Sequence, residues 1–97
     1  MRLQKSEIAQ IRETIIKEFG ECQIYIFGSQ LNESKRGGDI DIYIIPQEQK
    51  ELRAKESKVK FILEERLLKP IDILIHSDFS REIEEIALEG VNIGEIK

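Results

Sequence analysis

Residues 39–45 read Asp-Ile-Asp-Ile-Tyr-Ile-Ile. A period of two puts Ile40, Ile42 and Ile44 on one face of a strand and Asp39, Asp41 and Tyr43 on the other. The isoleucine face must be buried, and the register is then fixed, because a slip of one residue would drive two carboxylates into the core. Aspartate is also among the residues that strands accept least. A chain that folds around this segment needs a sheet with one apolar face, and a use for the acidic one.

The flanking sequence supplies the rest of such a sheet. Gln23 to Phe27 is β-branched and aromatic and reads as a buried strand, broken by Gly28-Ser29, which opens a short turn or helix towards Ser34. Lys35, Arg36, Gly37 and Gly38 follow as a cationic hinge. Pro46 closes the alternating strand. A third strand is expected over Ile71 to Ile75, after the stop at Pro70, with Asp72 inside it. Ile8, Ile11, Ile15 and Phe19 recur at helical spacing, with Ser6 expected as the cap and Gly20 as the end. From Gln47 to Lys69 an amphipathic helix is expected, with Leu52, Val59, Ile62, Leu63 and Leu67 as its apolar stripe. A last helix should start at Asp78 or Ser80, with Ile83, Ile86 and Ala87 as its apolar residues, and end at Gly90; Val91 to Ile96 is a short strand or a tail. The fold class implied is α/β (α+β), with helices packed on one small sheet.

Length and charge narrow the functions. The 97 residues suit one domain, 1–97, with one modest core. Fifteen basic against nineteen acidic side chains leave a net charge of −4, which argues against bulk nucleic acid as a partner, since such binding rests on neutralising phosphates. The single cysteine, Cys22, allows no internal disulfide. No apolar run is long enough to span a membrane, so a cytoplasmic protein is expected.

Asp39 and Asp41, two apart on a strand, project together at a separation of roughly 6.5–7 Å, and a neighbouring strand lies about 4.8 Å away. Asp72 joins them if the third strand pairs beside the second. Three such carboxylates repel one another and lose hydration unless a cation is present. Magnesium, a hard cation, is commonly held by one or two carboxylates together with substrate phosphates. Two such ions roughly 3.5–4 Å apart clamp the attacking and leaving oxygens of a phosphoryl-type transfer. Gly28-Ser29 suits the phosphate side: glycine lets backbone approach an anion and the Ser29 hydroxyl adds a donor. Lys35 and Arg36 could neutralise an outgoing pyrophosphate. Taken singly, each feature has a plainer reading as a turn, a solvated edge strand or loop charges. The conjunction carries the functional one.

Phe27-Gly28-Ser29, nine intervening residues, then Asp39-Ile40-Asp41 resembles the GS…DxD signature of the DNA polymerase β-like nucleotidyltransferases. Asp72, in "KPIDILIHSD", sits where that superfamily has its third carboxylate. The small size and the ending "IEEIALEGVNI" resemble the minimal nucleotidyltransferases, the MNT antitoxins paired with HEPN toxins. The resemblance implies a small mixed sheet with flanking helices, the palm fold of that superfamily. It also implies transfer of a nucleoside monophosphate, AMP from ATP, to a hydroxyl with loss of pyrophosphate. Gly28 and Ser29 would hold the triphosphate. Asp39 and Asp41 would bind two Mg²⁺ ions, and Asp72 would bind the catalytic ion and help deprotonate the acceptor. The implied acceptor is a tyrosine of a HEPN-type toxin. Gln30 departs from the basic residue that many relatives carry after Gly-Ser. The minimal form implies that a partner or a second copy completes the site, as a homo- or hetero-oligomer.

A different class of function is a module that neutralises its partner by contact alone. RNA binding is disfavoured by the acidic balance. His76, the one histidine, reads as a strand-end residue, though one placed to lie near Asp72. Cys22 reads as a small apolar residue. Tyr25 and Tyr43 read as core, with base stacking as the lesser reading, stronger for Tyr43 on the Asp face. The charged stretch 47–58 reads as a solvated face, with toxin docking as the lesser reading.

Overall fold

A computed structural model describes residues 3–28, 39–76 and 82–94. Three helices and four strands follow in the order α1 (Lys5–Phe19), β1 (Cys22–Phe27), β2 (Ile40–Pro46), α2 (Leu52–Leu67), β3 (Ile71–Ile75), α3 (Glu82–Leu88) and β4 (Val91–Asn92). The strands form one mixed sheet in the order β3-β2-β1-β4. β1 runs antiparallel to both β2 and β4, while β2 and β3 are parallel, joined by the α2 crossover. The expected small mixed sheet with flanking helices is what forms.

The register follows from the alternation. Ile24 pairs with Ile44, Ile26 with Ile42, and Ile40 with Ile71. These six isoleucines are buried, and they meet Ile11, Ile15 and Phe19 of α1 and Val59 and Leu63 of α2. Two helices therefore cover the isoleucine face. α3 covers the opposite face, packing on β1 and β2.

Helix boundaries differ from the sequence expectation in instructive ways. α1 is capped by Gln4 rather than Ser6: the Gln4 side chain accepts from the backbone of Glu7, and Gln4 N–H donates to Glu7 Oε1 at 3.0 Å, a reciprocal capping box. Ser6 lies inside the first turn. Gly20 ends α1 as expected, at φ +74°, donating to the Ile16 carbonyl. α2 starts only at Leu52, behind Glu51 in a left-handed conformation at φ +50°, so residues 47–51 precede the helix. Its buried side chains are Val59 and Leu63, with Leu52 and Leu67 packed at the rim of the core. Asp78 and Ser80 lie outside the described residues, whereas the short final strand is present as β4.

Candidate functional site

The acidic face resolves into rows across three strands. Phe27 of β1 pairs with Asp41 of β2, and Asp41 pairs with Asp72 of β3. The next row is Tyr25, Tyr43 and Leu74. Paired residues share a face, so Asp41 and Asp72 stand side by side at the sheet end where β1 finishes and β2 and β3 begin. Asp39 immediately precedes β2, two residues from Asp41.

Local hydrogen bonds fix those strand starts. Ile40 N–H donates to the Pro70 carbonyl at 2.9 Å. Ile71 N–H donates to Glu64 Oε2 at 3.0 Å, tying β3 to the last turns of α2. Each bond adjoins a site carboxylate in sequence, so the core-side packing of α2 is passed to the positions of Asp41 and Asp72.

Electrostatics show that the carboxylates feel one another. The Asp41 carboxyl is pushed above the usual aspartate range, first by burial, then by repulsion from Asp72, then from Asp39. A cation placed among them would relieve that conflict.

Gly28 supplies the close approach. It has φ +78°, in the region that favours glycine. A Cβ built there would overlap Asp41 Oδ2 and lie 3.0 Å from Asp41 Cγ. The backbone at the end of β1 therefore presses directly on the Asp41 carboxylate, which only a residue without a side chain permits.

The structure thus brings together Gly28, Asp39, Asp41 and Asp72. Ser29, Lys35 and Arg36 lie outside the described residues. Among the described residues, no three or more His, Cys, Asp or Glu side chains form a group that could by itself hold a metal ion. Hard oxygen donors, two of them in register, suit magnesium that takes its remaining ligands from phosphate and water. A cleft of about 510 Å³ lies elsewhere, at the other end of β1 and β2, lined by Cys22, Gln23, Ile45, Pro46 and Gly94 among others. Asp39, Asp41 and Asp72 are not among its lining residues.

Residues 9–96 match the sequence model of the family described as Polymerase beta, Nucleotidyltransferase. The chain belongs to that family. Its domain is a nucleotidyltransferase domain, in agreement with the Gly-Ser…Asp-x-Asp spacing and with the mixed sheet. No curated protein matches the chain. No helix among the described residues is long and apolar enough to cross a membrane.

Sequence reasoning missed one part of this face of the nucleotidyltransferase sheet. Tyr43 is fully buried, and its hydroxyl donates to Glu84 Oε1 at 2.8 Å. His76 Nδ1 lies 2.6 Å from the same carboxylate oxygen and 3.0 Å from the Tyr43 hydroxyl. Glu84 is fully buried although ionisable. On α3 the apolar Ile86 is about half exposed, while Glu84 and Ala87 turn in. The reason is that α3 lies on the side of the sheet that presents a hydroxyl and an imidazole. Tyr43 is thereby a packed residue, with its ring 6.0 Å from Tyr25. His76 is more than a strand-end residue, because it belongs to this buried polar cluster. The signal available in sequence was Tyr43 on the acidic face with a histidine one step past β3. Cys22 is partly buried against the core, as read from sequence.

Proposed function

We propose that this nucleotidyltransferase domain transfers a nucleoside monophosphate, AMP from ATP, to a hydroxyl of a partner protein, a HEPN-type toxin whose tyrosine is the acceptor, and that it acts as an antitoxin. The observation that supports the reading is the Asp41–Asp72 register pair with Gly28 pressed against Asp41. A carboxylate pair at the end of a sheet, beside backbone that no side chain shields, is what a triphosphate with its cations needs.

In this reading Asp39, Asp41 and Asp72 would hold Mg²⁺ together with the triphosphate. When bound, the metal would neutralise charge on the triphosphate. Gly28 gives the phosphates access to main chain, and Ser29 adds a hydroxyl donor. Lys35 and Arg36 offset the charge of the leaving pyrophosphate. A carboxylate oxygen of Asp72 takes the proton of the acceptor hydroxyl. The acceptor oxygen bonds to the α-phosphorus as the bond from that phosphorus to the bridging oxygen breaks, and pyrophosphate departs with the electron pair. A partner protein supplies the acceptor, and the complex is the working form.

The test mixes the protein with α-labelled ATP, Mg²⁺ and the protein encoded beside it. Label appearing on the partner, and absent with Asp41→Asn, is the expected result. Tight partner binding with no label transferred would replace this reading with neutralisation by contact alone.

A further inference from the structure

The Tyr43–His76–Glu84 cluster joins three elements. Tyr43 lies on β2, two residues beyond Asp41; His76 follows β3, four residues beyond Asp72; Glu84 reaches down from α3. All lie on the face that carries the carboxylates. The strands tied together through Glu84 are thus the two that hold Asp41 and Asp72.

Those strands need tying. Among the described residues β3 is an edge strand, paired with β2 alone, and Asp41 and Asp72 stand side by side across that single ladder. α2 backs β3 on the core face, so the acidic face requires its own restraint. A fully buried carboxyl group is a costly way merely to seat a helix, because an apolar side chain would do so without desolvating a polar group. It is a good way to fix the relative placement of two partners, because the contacts to one carboxyl oxygen, 2.8 Å from the Tyr43 hydroxyl and 2.6 Å from His76 Nδ1, are short and directional.

We infer that Glu84 is a positioning residue, which through Tyr43 and His76 holds β2 and β3 at the separation that Asp41 and Asp72 need to share a divalent cation and a nucleotide. The inference rests on the nucleotidyltransferase reading of the carboxylates.

The experiment compares wild type with Tyr43→Phe, which keeps the ring, and with His76→Asn, at a partly exposed position. Amide hydrogen exchange of β3 is read in metal-free protein, and Mn²⁺ affinity by calorimetry with a non-hydrolysable ATP analogue. Both variants should exchange β3 amides about tenfold faster, with β1 and α1 unchanged. Both should bind Mn²⁺ about tenfold more weakly, the usual effect of losing a residue that orients metal ligands. Faster exchange with wild-type Mn²⁺ affinity would reduce the cluster to a structural anchor and overturn the inference. Unchanged exchange would overturn it as well. Wild-type protein that binds no Mn²⁺ with nucleotide would instead overturn the reading of the carboxylates, a separate outcome because the exchange comparison needs no metal.

Discussion

Replacing Gly28 by alanine tests the site through a single methyl group. Two effects are expected, and a second glycine separates them. At φ +78° a Cβ is strained wherever it points, at a cost of about 1–2 kcal/mol. In a domain of this size that lowers Tm by roughly 4–8 °C for each kcal/mol. The added carbon would also lie 3.0 Å from Asp41 Cγ and overlap Oδ2, against roughly 3.5–4.0 Å for a comfortable carbon–carbon contact. The carboxylate must therefore shift by about 0.5–1 Å, and misplacement on the order of 1 Å can cost about 100-fold in rate. Gly20 has φ +74° with nothing within 4 Å of a built Cβ. Gly20→Ala carries the backbone penalty without the clash. Thermal unfolding should show a loss in both variants, while the rate of label transfer from α-labelled ATP should fall about 100-fold in Gly28→Ala alone. Equal transfer rates in the two variants would refute the claim that the main chain at Gly28 sets the position of Asp41.

Further consequences follow from the ionisable groups. Because the Asp41 carboxyl is raised by burial and by Asp72 and Asp39, the folded protein binds more protons than the unfolded one between the ordinary and the raised value, so this group's contribution to stability falls as pH rises through that window. Asp41→Asn should therefore raise Tm of the metal-free protein at neutral pH and abolish transfer; a lower Tm would show that no repulsion was relieved. Glu7 is the opposite case: hydrogen bonding from Gln4 N–H first, and the Lys69 ammonium 3.1 Å away, hold it below the usual glutamate range. Its contribution is present at neutral pH and is lost as pH falls from the ordinary glutamate range through the lowered value, and Glu7→Gln should cost about 1 kcal/mol at pH 7 in a denaturant titration and little in acid. Burial pushes the Cys22 thiol up to about 11, so alkylation at pH 8 should be much slower than for a free thiol and should accelerate on unfolding.

The alternation in β2 was legible because a period of two leaves no freedom: once Ile40, Ile42 and Ile44 are buried, Asp41 must face the other way. The face of Asp72 was legible for the same reason, since Ile71 and Ile73 turn to the core, but its place beside Asp41 depended on β3 pairing next to β2, which alternation does not decide. Glu84 was not. Helical periodicity counts apolar residues, whereas the inward position on α3 is decided by a hydroxyl on β2 and an imidazole just after β3. The cap of α1 was misplaced because serine has the stronger intrinsic preference. At Gln4 the reciprocal bonds with Glu7, together with the bond from Lys69, carry the helix start instead.

The most direct test is calorimetric titration of a non-hydrolysable ATP analogue into wild type, Asp41→Asn and Gly28→Ala, each with and without Mn²⁺. Binding to wild type only when the metal is present, and lost or strongly weakened in both variants, is the predicted result. Metal-independent binding, or equal affinity in all three proteins, would contradict the assignment of the Asp41–Asp72 end of the sheet as the nucleotide site.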